Sequence, residues 1–265
     1  MKFGHFLKAL APVLAVALAA GVSGCDGHIS INGEEGKKLS EIDLSGPAPS
    51  ELVLFGPDEV QVTQGDKLAI TVDGDPKAVE QIRFTLSGSA LGVLRADKHF
   101  NGGDKLAVVR VTMPAPREVT MAGSGKISAP ALARDAKVTV LGSGRIDVQN
   151  VEGGKLEATL PGSGTFRAAG NVDDLELTIL GSGSAELDAV KTPKAKVTIM
   201  GSGGATFASD GDVDATIMGS GSVKVKGRAR CKVTAMGSGT LICENGVTKS
   251  DDKGAPETPE APETP

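Results

Sequence analysis

Two stretches, Lys196-Val-Thr-Ile-Met-Gly-Ser-Gly203 and Asp214-Ala-Thr-Ile-Met-Gly-Ser-Gly221, lie eighteen residues apart and are nearly the same. The Gly-Ser-Gly triplet that ends each of them occurs seven times, beginning at Gly123, Gly142, Gly162, Gly181, Gly201, Gly219 and Gly237. A period of 18 to 20 residues held over seven copies is the mark of a solenoid, in which each repeat buries its apolar face against its neighbours.

Aligned on the first Gly, the copies resolve into columns. Three positions before it stands Thr in every copy, from Thr120 to Thr234, flanked by apolar columns two and four positions before it. Such apolar-polar alternation is the period-two pattern of a strand with one buried face. After the triplet the alternation resumes, with apolar pairs such as Ile146/Val148, Phe166/Ala168, Ala185/Leu187 and Ala205/Phe207. Large and small residues trade places between neighbouring copies, as a narrow stacked core of constant volume requires.

Two charged columns test whether like positions stack. Seven residues before the Gly the chain reads Asp135, Lys155, Asp174, Lys194, Asp212, Arg230, alternating in sign. Five before it are Glu118, Lys137, Glu157, Glu176, Lys196, Asp214 and Lys232, with one lapse at Glu157 and Glu176. Neighbours in one column of adjacent strands sit about 5 Å apart, so alternating charge favours one register. These observations predict an all-β fold, a right-handed parallel β-helix (solenoid) with 18–20-residue coils turning at Gly-Ser-Gly, where Gly permits the backbone angles of a tight corner. Residues 41–247 form the β-helix, regular over 117–247. Residues 41–116, β-rich but irregular, are expected to be degenerate first coils capping one end, with a separate small β domain as the alternative.

The ends differ from the repeats. Lys2 and Lys8, the apolar run Ala9 to Ala20, and Val22-Ser-Gly-Cys25 read as a lipoprotein export signal over 1–24, with Cys25 carrying the lipid. Residues 25–40 are the expected tether from that lipid, anchored to a membrane the chain does not span. Residues 248–265, which contain Ala-Pro-Glu-Thr-Pro twice, are expected to be a disordered Pro-rich tail. Loss of Lys2 and Lys8 with the signal would take the net charge from −5 to −7. A mildly acidic chain gives no reason to expect nucleic acid as a partner.

Val109-Arg-Val-Thr-Met-Pro114, followed by Met121-Ala-Gly-Ser-Gly125 and the repeated triplets, resembles a bacterial envelope family described as "putative auto-transporter adhesin, head GIN domain". The resemblance covers roughly residues 42–247. It implies a parallel β-helix in an exported protein, often a lipoprotein, with no catalytic residues to carry over; no pore domain is expected within these 265 residues.

Sites of chemistry are sparse. No Ser has Gly at both −2 and +2, and no Gly-x-Gly extends to Gly-x-Gly-x-x-Gly, so neither a nucleophile elbow nor a dinucleotide loop is present. His5, His28 and His99 all precede the repeats. Asp210-Gly-Asp-Val-Asp214 departs from a calcium loop at Ala215 and Gly221, and falls in register with Arg228, Arg230 and Lys232, so ion pairing between coils is expected there. No cofactor or metal is expected.

Cys231 and Cys243 occupy inward columns of the last coil, which leaves open a disulfide or two buried thiols. Leu141, Pro161, Leu180, Met200, Met218 and Met236 stand just before the corner. Strict alternation points them outward as an interaction ladder, whereas an inward roll of the chain would bury them, and the second outcome is expected.

The function expected is a non-enzymatic, lipid-anchored envelope protein on the periplasmic face of the inner membrane or on the outer membrane. Its rigid face would bind an envelope protein, a glycan or another copy of itself. The alternative is a polysaccharide-active β-helix enzyme, which the absence of Trp and Tyr disfavours.

Overall fold

A computed structural model describes residues 30–31, 34–96 and 105–250. The export signal, Cys25 and residues 251–265 of the expected tail lie outside the described residues, whereas its first residues, 248–250, pair as a strand with Cys231 to Val233. The chain is mostly β-strand and forms a parallel β-solenoid of about seven turns.

A short antiparallel pair, β1 (Ser30–Ile31) and β2 (Glu34–Glu35), precedes the stack. Then come β3 (Glu51–Gly56), β4 (Glu59–Gln64), β5 (Ala69–Gly74), helix α1 (Pro76–Gln81), β6 (Ile82–Ser87), β7 (Ala90–Arg95), β8 (Ala107–Met113), β9 (Glu118–Gly123) and β10 (Lys126–Ala131). The regular coils follow as β11 (Ala136–Gly142), β12 (Arg145–Glu152), β13 (Lys155–Gly162), β14 (Thr165–Asn171) and β15 (Asp174–Gly181). The next two strands, β16 (Ser184–Gly201) and β17 (Gly204–Gly219), each run from the second side of one coil into the first side of the next. The stack ends with β18 (Ser222–Lys226), β19 (Arg230–Met236), β20 (Thr240–Cys243) and β21 (Val247–Ser250).

The columns stack as read. Thr120 pairs with Thr139, Thr139 with Thr159, Thr159 with Thr178, and so on to Thr234. Phe166 stacks on Ile146 on one side and on Ala185 on the other, and Leu187 pairs with Phe207. All of these apolar residues are buried in one continuous core. The first Gly of every triplet has φ between +105° and +151°. A β-carbon on Gly183, the third residue of its triplet, would sit 3.0 Å from the carbonyl oxygen of Gly164 in the coil before. The corner is therefore where backbone lies on backbone, and the serine between the two glycines is exposed.

The first strands depart from a simple run of degenerate coils. The coil β3–β4 is not outermost, because β7 and β8 pair parallel to it on one flank while β9 and β10 pair parallel to it on the other. Outside β7 and β8 lie β6 and β5, which run antiparallel and close the end. Chain order and spatial order thus disagree. Gly56, in register with Gly123, shows that Gly56-Pro57-Asp58 is a first corner without the repeat's spelling. There Asp58 turns inward, 2% exposed, to meet Arg95 at 2.6 and 2.7 Å and the backbone N–H of Ala107 at 2.8 Å.

Candidate functional site

The outer face of the first side carries four parallel rows: two of charges, one of threonines, and the apolar residues before the corner. The charged row next to the threonines contains the sign lapse at Glu157 and Glu176, and the structure repairs it diagonally. Lys155, from the other charged column, places its ammonium 2.6 Å from Glu176 and 3.5 Å from Glu157. Its hydrogen bond to Glu176 holds the ammonium above its usual pKa, against partial burial. Elsewhere the columns pair straight along the rod, as in Asp174 with Lys194 at 2.7 Å and Asp212 with Arg230 at 2.8 Å. The guanidinium of Arg230 lowers the pKa of Asp212 by hydrogen bonding.

The apolar row does not roll inward as expected. Leu141, Pro161, Leu180, Met200 and Met218 are half-buried, and Met236 is 61% exposed. Leu180 pairs with Met200, Met200 with Met218, and Met218 with Met236 on adjacent strands. Alternation prevails because the chain turns only at the following Gly, whose positive φ comes too late to swing the residue before it inward. Towards the cap the row continues through Ala122, Phe55 and Leu94, and it becomes buried at Leu94. The threonine row beside it is nearly closed to solvent in the early coils, with Thr120, Thr139 and Thr159 buried between taller neighbours.

The second side carries a charge ladder that the column alignment before the corner did not reveal. Lys126 lies 3.9 Å from Glu59 and 3.6 Å from Asp147, and Arg167 meets Glu186 at 2.5 Å. Its signal was present in the alternating sequence positions after the corner, Asp147, Arg167 and Glu186, which stack in register.

An open groove of about 740 Å³ runs along the variable connections, lined by residues that include Asn171, Asp173, Lys191, Thr192, Ser209 and Asp210. Two of its carboxylates are engaged in holding the coils, while Glu152 at its edge is exposed. Asp173 accepts from Arg134 and from the backbone N–H of Gly154, and Asp210 accepts from the backbone N–H of Arg228. Thr192 and Ser209 are buried and bonded to backbone within two residues. Among the described residues no three His, Cys, Asp or Glu side chains gather in a way that would hold a metal ion.

At the far end of the rod, Cys231 and Cys243 join β19 to β20 as a disulfide, with Cα atoms 6.8 Å apart. Among the described residues no helix is long and apolar enough to cross a membrane.

Residues 48–229 match the family described as "Putative auto-transporter adhesin, head GIN domain". Among solved structures, a protein of Bacteroides fragilis named a putative adhesin is similar over 74% of this chain and 92% of its own, with a TM-score of 0.66 at 21% identity. A putative adhesin of Parabacteroides distasonis covers 75% and 94%, with a TM-score of 0.59 at 18% identity. Another protein of that species, named a putative lipid binding protein, covers 75% and 94%, with a TM-score of 0.56 at 19% identity. At such identities the likeness is one of fold. None of the curated proteins matches the chain.

Proposed function

The chain belongs to the "putative auto-transporter adhesin, head GIN domain" family, and from that premise we propose that it is a non-enzymatic cell-envelope protein, lipid-anchored through Cys25, that binds an envelope protein or glycan. The binding surface is the outer face of the first side. The single observation that carries this reading is the apolar row Leu141, Pro161, Leu180, Met200, Met218 and Met236, half-buried or exposed over successive coils. Scattered apolar residues on a surface are ordinary, whereas a contiguous row on a rigid sheet is what partner surfaces look like. The threonines beside it are partly open to solvent only in the later coils, from Thr178 to Thr234, and the ion-pair rows hold that part in register. The groove supports an enzyme less well, because Asp173 and Asp210 are engaged by neighbouring coils and no aromatic side chain lines it.

Crosslinking in intact cells, followed by recovery of the chain, tests this reading, with Cys25→Ala as the control for anchoring. The wild-type chain is expected in the membrane fraction with a crosslinked partner, and Cys25→Ala is expected to be released. The double variant Met200→Ser/Met218→Ser is expected to keep its fold and lose the partner. Collapse of the fold in that variant would mean the row is core, and full retention of the partner would place binding elsewhere.

A further inference from the structure

The chain enters and leaves the solenoid at opposite poles. Lys37 pairs antiparallel with Phe84 of β6, and its N–H and carbonyl each take part in a 2.8 Å hydrogen bond with that residue. From there the first side runs as one order of paired strands: β6, β7, β3, β9, β11, β13, β15, β16, β17, β19 and β21. Lys37 therefore lies outside the last strand of the cap, and Ser250, which ends β21, belongs to the other extreme. Strand steps of about 4.8 Å put roughly 50 Å between them along the rod. The entry is tightly held. A β-carbon on Gly36 would lie 2.7 Å from the β-carbon of Arg83, and Leu39 and Ile42 just after it pack on the core.

Cys25 precedes Lys37 by only a short stretch of chain. Ser30 pairs with Glu35, so the chain doubles back there and advances by about 5 Å between them. The remaining steps cover at most about 25 Å fully extended, which keeps Lys37 within about 30 Å of Cys25. We propose that the capped pole faces the lipid surface, and that the solenoid holds its far pole, with the open part of the apolar row, away from the membrane. This rests on the anchoring through Cys25 assigned above. The row is buried at Leu94 in β7, next to the outermost strand, and becomes half-buried from Leu141 in β11 to Met218 in β17. Those two strands lie about 24 and 43 Å from Lys37 along the rod. The part of the face that a partner can reach is thus carried off the bilayer, towards a protein or glycan and away from lipid headgroups. Nothing on the flanks draws the rod down. Their charges are paired along the rows, as in Lys194 with Asp174 and Arg167 with Glu186, and the chain is acidic overall. The apolar row is a single residue wide, well short of the broad apolar face on which a surface-bound element lies in the lipid interface.

Energy transfer to the membrane plane reads the orientation. The full chain, purified from membranes in detergent, carries a donor dye on Lys77→Cys, in the helix that joins β5 to β6, or on Ser220→Cys, at the corner between β17 and β18; both positions are exposed. It is reconstituted into phosphatidylcholine vesicles containing a trace of acceptor-labelled phosphatidylethanolamine. Transfer is expected to be several-fold stronger from position 77 than from position 220. Flotation with the same vesicles reads the anchoring separately: the unsubstituted chain is expected to float, and Cys25→Ala to stay behind. Equal transfer from the two positions in chains that float would mean that the rod lies along the lipid surface, and stronger transfer from position 220 would mean that it stands the other way up. Either result overturns the proposal and leaves the anchoring intact, whereas an unsubstituted chain that fails to float overturns both.

Discussion

The ammonium of Lys155 lies 2.6 Å from the carboxylate of Glu176, one coil further on and one column across. Without that diagonal, Glu157 and Glu176 would face each other as register partners of like charge. Lys155→Met is therefore expected to cost about 0.5–1 kcal/mol at low salt, discounted for the solvent exposure of the lysine, and less at high salt. Adding Glu176→Gln to it should recover part of that loss. Chemical denaturation of the single and double variants at two salt concentrations checks this, and equal costs at both would show that charge is not the cause.

The corner separates two kinds of residue. Gly181 has φ +129°, and a β-carbon there would lie 2.7 Å from the carbonyl oxygen of Gly162. Gly181→Ala should destabilise by about 2–4 kcal/mol, combining a forbidden backbone angle with a backbone clash. Ser182 contributes its backbone N–H to Gly162 and leaves its side chain in solvent. Ser182→Ala should then change stability by less than about 0.5 kcal/mol. Thermal melting of the two variants gives the comparison.

At the capped end, Asp58 and Arg95 form a buried bidentate pair at 2.6 and 2.7 Å, with Arg95 also donating to the carbonyl of Lys105. Removing one partner strands a buried charge, so Arg95→Met should cost about 3–5 kcal/mol. Asp58→Leu/Arg95→Met should cost less than Arg95→Met alone. A double variant as damaged as the sum of the singles would show that the groups act independently.

Acid and base act on the ion-pair rows in opposite directions. The carboxyl of Asp212 is held below its ordinary value of 3.8 by Arg230, so its stabilising contribution is fully present above that pH and is lost as pH falls through the lowered value. Lys194 is held above 10.5 by hydrogen bonding to Asp174, so its contribution is complete below that pH and is lost as pH rises through the raised value. The melting temperature should therefore run flat between these limits as far as these pairs are concerned. Asp212→Asn should remove part of the acid-side fall while leaving the Lys194–Asp174 contribution on the base side unchanged.

Reduction of the Cys231–Cys243 bond should add 2 Da to the mass and loosen the last coil first. The twelve-residue separation corresponds to a chain-entropy effect of about 3 kcal/mol, an upper value where the rest of the solenoid holds the strands together. Hydrogen exchange before and after reductant should show faster exchange in β19 and β20 than in β11 to β15. No mass change would mean that the two thiols are free.

The repeat was legible because each coil states its own requirements. Thr at three before the corner, apolar residues at two and four, and glycine at the turn follow from strand alternation and from one backbone angle, both local properties. Gly56-Pro57-Asp58 escaped because it lacks the repeat's spelling, although the alternation of Leu52 and Leu54 before Gly56 carries the same signal. The order of the first coils was illegible for a different reason: pairing of β3 with both β7 and β9 is decided by which strand edges meet, and no periodicity encodes that.

The candidate surface divides in the same way. The sequence by itself determined which residues form the row from Leu141 to Met236 and that they share one column, since column membership is counted along the chain. Only the tertiary structure decided that the row lies half in solvent, because exposure depends on where the corner bends and on how high the neighbouring side chains stand. It also decided that one end of the solenoid is closed by β5 and β6, for a cap is a contact between distant segments and no single coil spells it out.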